Sequence, residues 1–169
     1  MAENFYMYFI IALIPLVIGS VYYSPALLGN AWMKTNGFTK ESLQGGRMLV
    51  IFGLTYVCSL LLTVGLQSMC IHEMGVVQVA MPAVLEAGSQ AQTDVNAFLS
   101  TYAGNFRTFG HGAVHGVLSC VVFVLPILGI VALFERRGAK YIGIHFLYWL
   151  LCFVVMSGLI ASTLVFGPV

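Results

Sequence analysis

The chain has 169 residues, 60% of them hydrophobic and 8% charged, with a mean hydropathy of +0.96. Soluble domains carry roughly a quarter charged residues, so water is not its main solvent. A net charge of +1 excludes a nucleic-acid partner and a polybasic lipid-binding surface, both of which need clustered positive charge.

Four apolar runs, 6–23, 48–71, 110–133 and 141–166, are each about long enough to cross a hydrocarbon core at ~1.5 Å per helical residue. Backbone groups left unpaired in lipid are costly, and the period-2 alternation of a membrane barrel is absent. The expected fold is therefore all-α, a single-domain four-transmembrane-helix bundle. No Lys or Arg precedes the first run, whereas a cleavable signal has a positive start and a shorter apolar stretch, so this run reads as a retained anchor. Pro15 and Pro126 each remove a backbone donor inside a run and should kink it.

Between the first two runs, Ser24-Pro25 has the pattern of an N-cap and an N1 proline, and Leu27, Leu28, Ala31 and Trp32 share a helical face. A short interfacial helix is expected there. Gly37 would end it, Thr39 would cap a further turn, and Arg47 would mark re-entry. In the long second loop, Thr93 could cap a short amphipathic helix bearing Val95, Phe98, Leu99 and Tyr102 at i, i+3, i+4, i+7. Lys34, Lys40 and Arg47 lie in the first loop, Arg136, Arg137 and Lys140 in the third, and Arg107 alone in the second. By the positive-inside rule, loops one and three are cytoplasmic, while the second loop and both termini face outward. Tyr6, Tyr8, Tyr22, Tyr23 and Trp32 supply interfacial anchors for the first span. The two hairpins share an orientation, but their prolines sit at different depths and no internal repeat is supported.

Two polar stripes stand out. Thr55, Ser59, Thr63 and Gln67 repeat at i, i+4 along the second span, reading either as a solvated path or as side chains bonded to the preceding turn and to neighbouring helices. His111 and His115 share a face at the start of the third span, and antiparallel packing would bring Cys70, His72 and Glu73 to the same level. Histidines at i, i+4 can chelate one ion, and Cys, His or Glu could complete a zinc or copper shell. The alternative is interfacial histidines bonded to loop carbonyls or lipid headgroups. No HExxH is present, so a divalent metal is the one cofactor the sequence suggests, and only by this pattern. His145 stands alone and is assigned no role. No acidic residue lies within a span, which argues against proton-coupled transport. Cys58, Cys70, Cys120 and Cys152 form no CxxC and are expected as free thiols. Gly112 and Gly116, and Gly158 with Ser162, are small-xxx-small pairs that permit close helix approach within the bundle or between protomers.

Tyr23-Ser24-Pro25, Gly29, Trp32-Met33 and Gly37, with Phe134-Glu135-Arg136-Arg137 and Tyr148-Trp149, together resemble the family called domain of unknown function 1761, small four-span membrane proteins of bacteria and fungi. Tyr22 stands where that pattern would have tryptophan. The resemblance covers most of the chain, with the second loop the least matched part. It implies fold and a bacterial inner (cytoplasmic) membrane, with no activity and no catalytic residues to transfer. Three functional classes follow from the sequence. The first is association, as a homo-oligomer or an accessory subunit of a membrane complex, without enzymatic activity. The second is an outward-facing metal or small-ligand site at the histidines, and the third a small transporter or membrane enzyme using the polar seam.

Overall fold

The first apolar run forms two helices, α1 (Tyr6–Ile11) and α2 (Ile14–Tyr22), with Pro15 in the first turn of the second. Pro15 has no N–H to offer the carbonyl one turn back, so the run is interrupted at Ala12 and Leu13, in keeping with the disruption expected of Pro15. Leu13 N–H turns to the Ile10 carbonyl, and the Phe9 carbonyl instead accepts the Tyr56 hydroxyl at 3.1 Å. The structure is a computed structural model that describes residues 3–44 and 46–167.

The chain then turns back through Tyr23–Leu28 before α3 (Gly29–Asn36). The Ser24-Pro25 cap is a correction: the Ser24 carbonyl accepts from Leu27 and Gly29 N–H, a turn, and the helix starts four residues later. Gly29 is required by this turn, because a Cβ there would lie 2.4 Å from the Tyr23 carbonyl oxygen. Gly37 closes α3 with φ +73, as its position suggests. Thr39 and Ser42 then cap one turn reciprocally, each side chain accepting the other's backbone N–H.

After Arg47 comes α4 (Met48–Cys70). Its connection to the third span contains α5 (Glu73–Val79), a 3-10 turn at Ala83–Leu85 and α6 (Gln90–Tyr102). The cap of α6 is Ser89, whose hydroxyl accepts from Gln92 N–H, and not Thr93. Serine in extended backbone is the better cap, and Thr93 bonds back to the Ser89 carbonyl from inside the helix. The third span is α7 (Phe109–Ser119), a π segment Cys120–Val124 and α8 (Leu125–Phe134). The wider π turn lies just before Pro126 and absorbs the missing hydrogen bond without ending the span. The last helix, α9 (Ala139–Thr163), ends three residues before the expected boundary of 166.

Among the described residues every regular element longer than a single bridge is helical, and three helices are long and apolar enough to cross a membrane: Met48–Cys70, Phe109–Phe134 and Ala139–Thr163. Tyr6–Tyr22 is apolar but shorter. These are features of an integral membrane protein, and the many exposed aliphatic side chains of α4, α7 and α8 are what lipid would cover.

The last helix forms the centre, with Cys152, Met156, Ile160 and Ala161 fully buried. Against it packs α7, and the approach is close because the contact residues are glycines. A Cβ on Gly112 would lie 2.2 Å from the Ser157 carbonyl oxygen, one on Gly116 2.5 Å from that of Phe153, and one on Gly158 2.5 Å from the Phe109 ring. Tyrosines clasp α2 to α9, Tyr22 donating to the Ile144 carbonyl at 2.8 Å and Tyr148 to that of Pro15 at 2.9 Å. At the far end, Asn4 Nδ2 donates to the Thr163 carbonyl at 2.7 Å and Glu3 N–H to that of Val165 at 2.7 Å. The α1–α2 unit therefore runs antiparallel to α9 along most of its length. Glu3, Asn4 and Val165 lie at this histidine end, while Arg137 donates to the Thr35 carbonyl at 3.1 Å at the opposite, aromatic end.

Candidate metal centre

One helix end and one junction build the site. Thr108 caps α7 by accepting the His111 N–H at 3.2 Å, which fixes His111 in the first turn, and His115 follows one turn later on the same face. His72 comes from the junction of α4 and α5. There Ile71, 1% exposed, takes an extended conformation and anchors the change of direction in the core.

The three rings meet through the same nitrogen. His72 Nε2 lies 2.9 Å from His111 Nε2, and His115 Nε2 lies 3.0 Å from it. Either pair can share one proton, the single lone pair of the His111 nitrogen accepting from one neighbour at a time when its own proton is on Nδ1. Three tetrahedral ligands at the usual Zn–N distance have nitrogens about 3.3 Å apart. The two pairs that share His111 thus need to open by only a few tenths of an ångström to match that spacing, and the third pair lies within 4.8 Å. Among the described residues these three form the set of His, Cys, Asp or Glu with all ligand atoms within 4.8 Å of one another, and the cluster could hold a metal.

The other two candidates of that level stand outside the set. Cys70 is 2% exposed and turned into the core. Glu73 pairs with Arg107, Oε1 to Nε at 3.7 Å, while Arg107 Nη2 donates to the Leu164 carbonyl and its guanidinium lies 5.6 Å from the Phe166 ring centroid. Arg107 thereby ties the second connection to both α5 and the segment after α9, a role its spacing gave no sign of. Phe106 covers the cluster: its ring is 4.9 Å from that of His111 and 5.9 Å from that of His72. Its backbone has φ +64, a left-handed conformation that bulky residues seldom adopt.

The seam of α4 is arranged differently. Ser59 Oγ donates to the Thr55 carbonyl and Thr63 Oγ1 to that of Ser59, both at 2.8 Å, so these hydroxyls are satisfied by their own helix. Gln67, 6% exposed, accepts from the Tyr8 hydroxyl and donates to Met74 Sδ at 2.7 Å. The structure brings Gly112, Gly116 and Gly158 together in the α7–α9 contact, whereas Ser162 is exposed and bonds back to the Gly158 carbonyl at 2.8 Å. The motif residues Tyr23, Pro25, Gly29, Trp32 and Met33 gather at the aromatic end, where the Tyr23 ring contacts Trp32 at 5.5 Å and Tyr148 at 5.0 Å. All four cysteines are free.

No curated protein and no solved structure matches the chain. The model of a family described as "Protein of unknown function (DUF1761)" matches residues 6–161, nearly the whole chain, and the protein belongs to that family.

Proposed function

We propose that this is a four-span membrane protein of the bacterial inner membrane whose outward end binds one divalent transition metal through His72, His111 and His115. The observation that carries the reading is the convergence of three Nε2 atoms, two from α7 and one from the junction of α4 and α5. Neutral imidazoles suit zinc or copper, and three protein ligands leave a fourth position open.

Four spans rather than three are supported by the antiparallel fit of α1–α2 to α9, since the unit reaches from Thr163 to Ile144. Its 17 residues extend about 26 Å at the usual rise, close to the thickness of a hydrocarbon core. The orientation is supported by the loop charges: six of the seven basic residues fall at the aromatic end, and the seventh, Arg107, is paired with Glu73.

The small-residue stripes that favour association are used inside the chain, α7 against α9. A homo-oligomer or an accessory-subunit role therefore draws support only from the exposed apolar flanks of α4 and α8. Native mass spectrometry after gentle detergent release, with elemental analysis, tests the metal reading. The expected result is one zinc per protomer after zinc loading and none in the His111→Ala/His115→Ala variant. Equal zinc content in the two proteins would overturn it.

A further inference from the structure

Beside the histidines lies a cavity of about 280 Å³, roofed by α6 and floored by the junction of α4 and α5. Its polar wall is His72, Glu73, Asn105 and Arg107, and the rest is mainly apolar, with Val76 and Leu99 at its sides. This volume lies just below the ~300–1,000 Å³ usual for ligand sites, and a mostly apolar lining with a few convergent polar groups is their usual character. Without a metal the polar wall is close to neutral, because Glu73 offsets Arg107 at 3.7 Å. A divalent ion at His72, His111 and His115 makes it strongly positive. Arg107 Nη1 is buried and has no hydrogen-bond partner, so one guanidinium nitrogen remains for an anion.

Phe98 and Tyr102 both line the cavity and are about half exposed, aromatic side chains of the kind that sit at a membrane–water boundary. Phe106 lines it as well while touching His72 and His111. Its backbone is held at φ +64, strain of the sort stored where a side chain must occupy a set position.

We propose that this cavity takes the chain of a membrane-partitioned carboxylate, a fatty acid, whose head group sits between Arg107 and the open position of the metal. The proposal rests on the metal reading above. The apolar sides take the chain, Arg107 and the ion take the charge, and Phe106 shields the ion when no ligand is bound. Charge complementarity selects a carboxylate over an alcohol or an amine of equal chain length.

Radiolabelled decanoate and decanol, titrated against the full chain in lipid nanodiscs, provide the test. Zinc-loaded protein should bind decanoate at least tenfold more tightly than chelator-treated protein, while decanol affinity stays the same in both. Arg107→Gln should weaken decanoate binding alone. Leu99→Trp, which fills the cavity without touching a histidine, should weaken both ligands at least tenfold with zinc content unchanged. Zinc-loaded protein whose decanoate affinity ignores both zinc removal and Leu99→Trp would overturn this proposal and leave the metal reading standing. Protein that takes up no zinc would overturn both.

Discussion

Two helices of this protein carry polar side chains one turn apart, and they satisfy them in opposite ways. On α4, Ser59 and Thr63 reach the carbonyl of the preceding turn and need nothing else. On α7, His111 and His115 have rings too long and too rigid for that bond, so their nitrogens face each other and His72. The same i, i+4 spacing is thus inert in one helix and chemically open in the other. What separates them is whether the side chain can close on its own backbone.

The largest effect is expected where α7 is positioned. Gly112→Val or Gly116→Val drives a side chain into a backbone carbonyl of α9 and should cost about 3 kcal/mol, the upper end for overpacking. Unfolding in detergent would measure it, and zinc binding should be lost together with the α7 register. Next comes the metal itself. Zinc at a hundredfold excess over its dissociation constant should stabilise the wild-type protein by about 2.7 kcal/mol. The same addition should leave His111→Ala/His115→Ala unmoved. Protons compete with the ion for the same imidazole nitrogens, so zinc retention should fall as the pH is lowered and recover when it is raised.

Smaller effects test the inert stripe. Gln67→Leu leaves the Tyr8 hydroxyl without its acceptor and should cost about 1–2 kcal/mol, with zinc content unchanged. Ser59→Ala should lie within about 0.6 kcal/mol of wild type, the average for polar contacts between membrane helices. If Ser59→Ala abolished zinc binding while the glycine variants did not, the two stripes would have been assigned the wrong way round.

Much of this architecture was legible in the sequence because lipid permits few alternatives. Run length and hydropathy located the long helices, Gly37 and Arg47 marked helix ends, and the prolines marked the two irregular points. Short-range competition was harder to read. Ser24-Pro25 has the residues of a helix start, yet Gly29 allows the chain to pass close to the Tyr23 carbonyl and the turn wins. Ser89 and Thr93 are both caps by type, and which one leads depends on where extended backbone ends. At the site, spacing could pair His111 with His115 and bring His72 to their level. It could not show that Ile71 would direct His72 toward them, or that Cys70 would turn inward and Glu73 toward Arg107. Those outcomes are set by a change of direction over two residues after α4, for which periodicity carries no signal.

The central claim is that three imidazoles, and not Cys70, hold the ion. X-ray absorption at the zinc edge of loaded, detergent-purified protein tests it most directly. The expected spectrum has three imidazole nitrogens at about 2.0 Å, completed by a light oxygen or nitrogen ligand and with no sulfur shell. A sulfur scatterer at about 2.3 Å, or the same spectrum from the His111→Ala/His115→Ala variant, would contradict it.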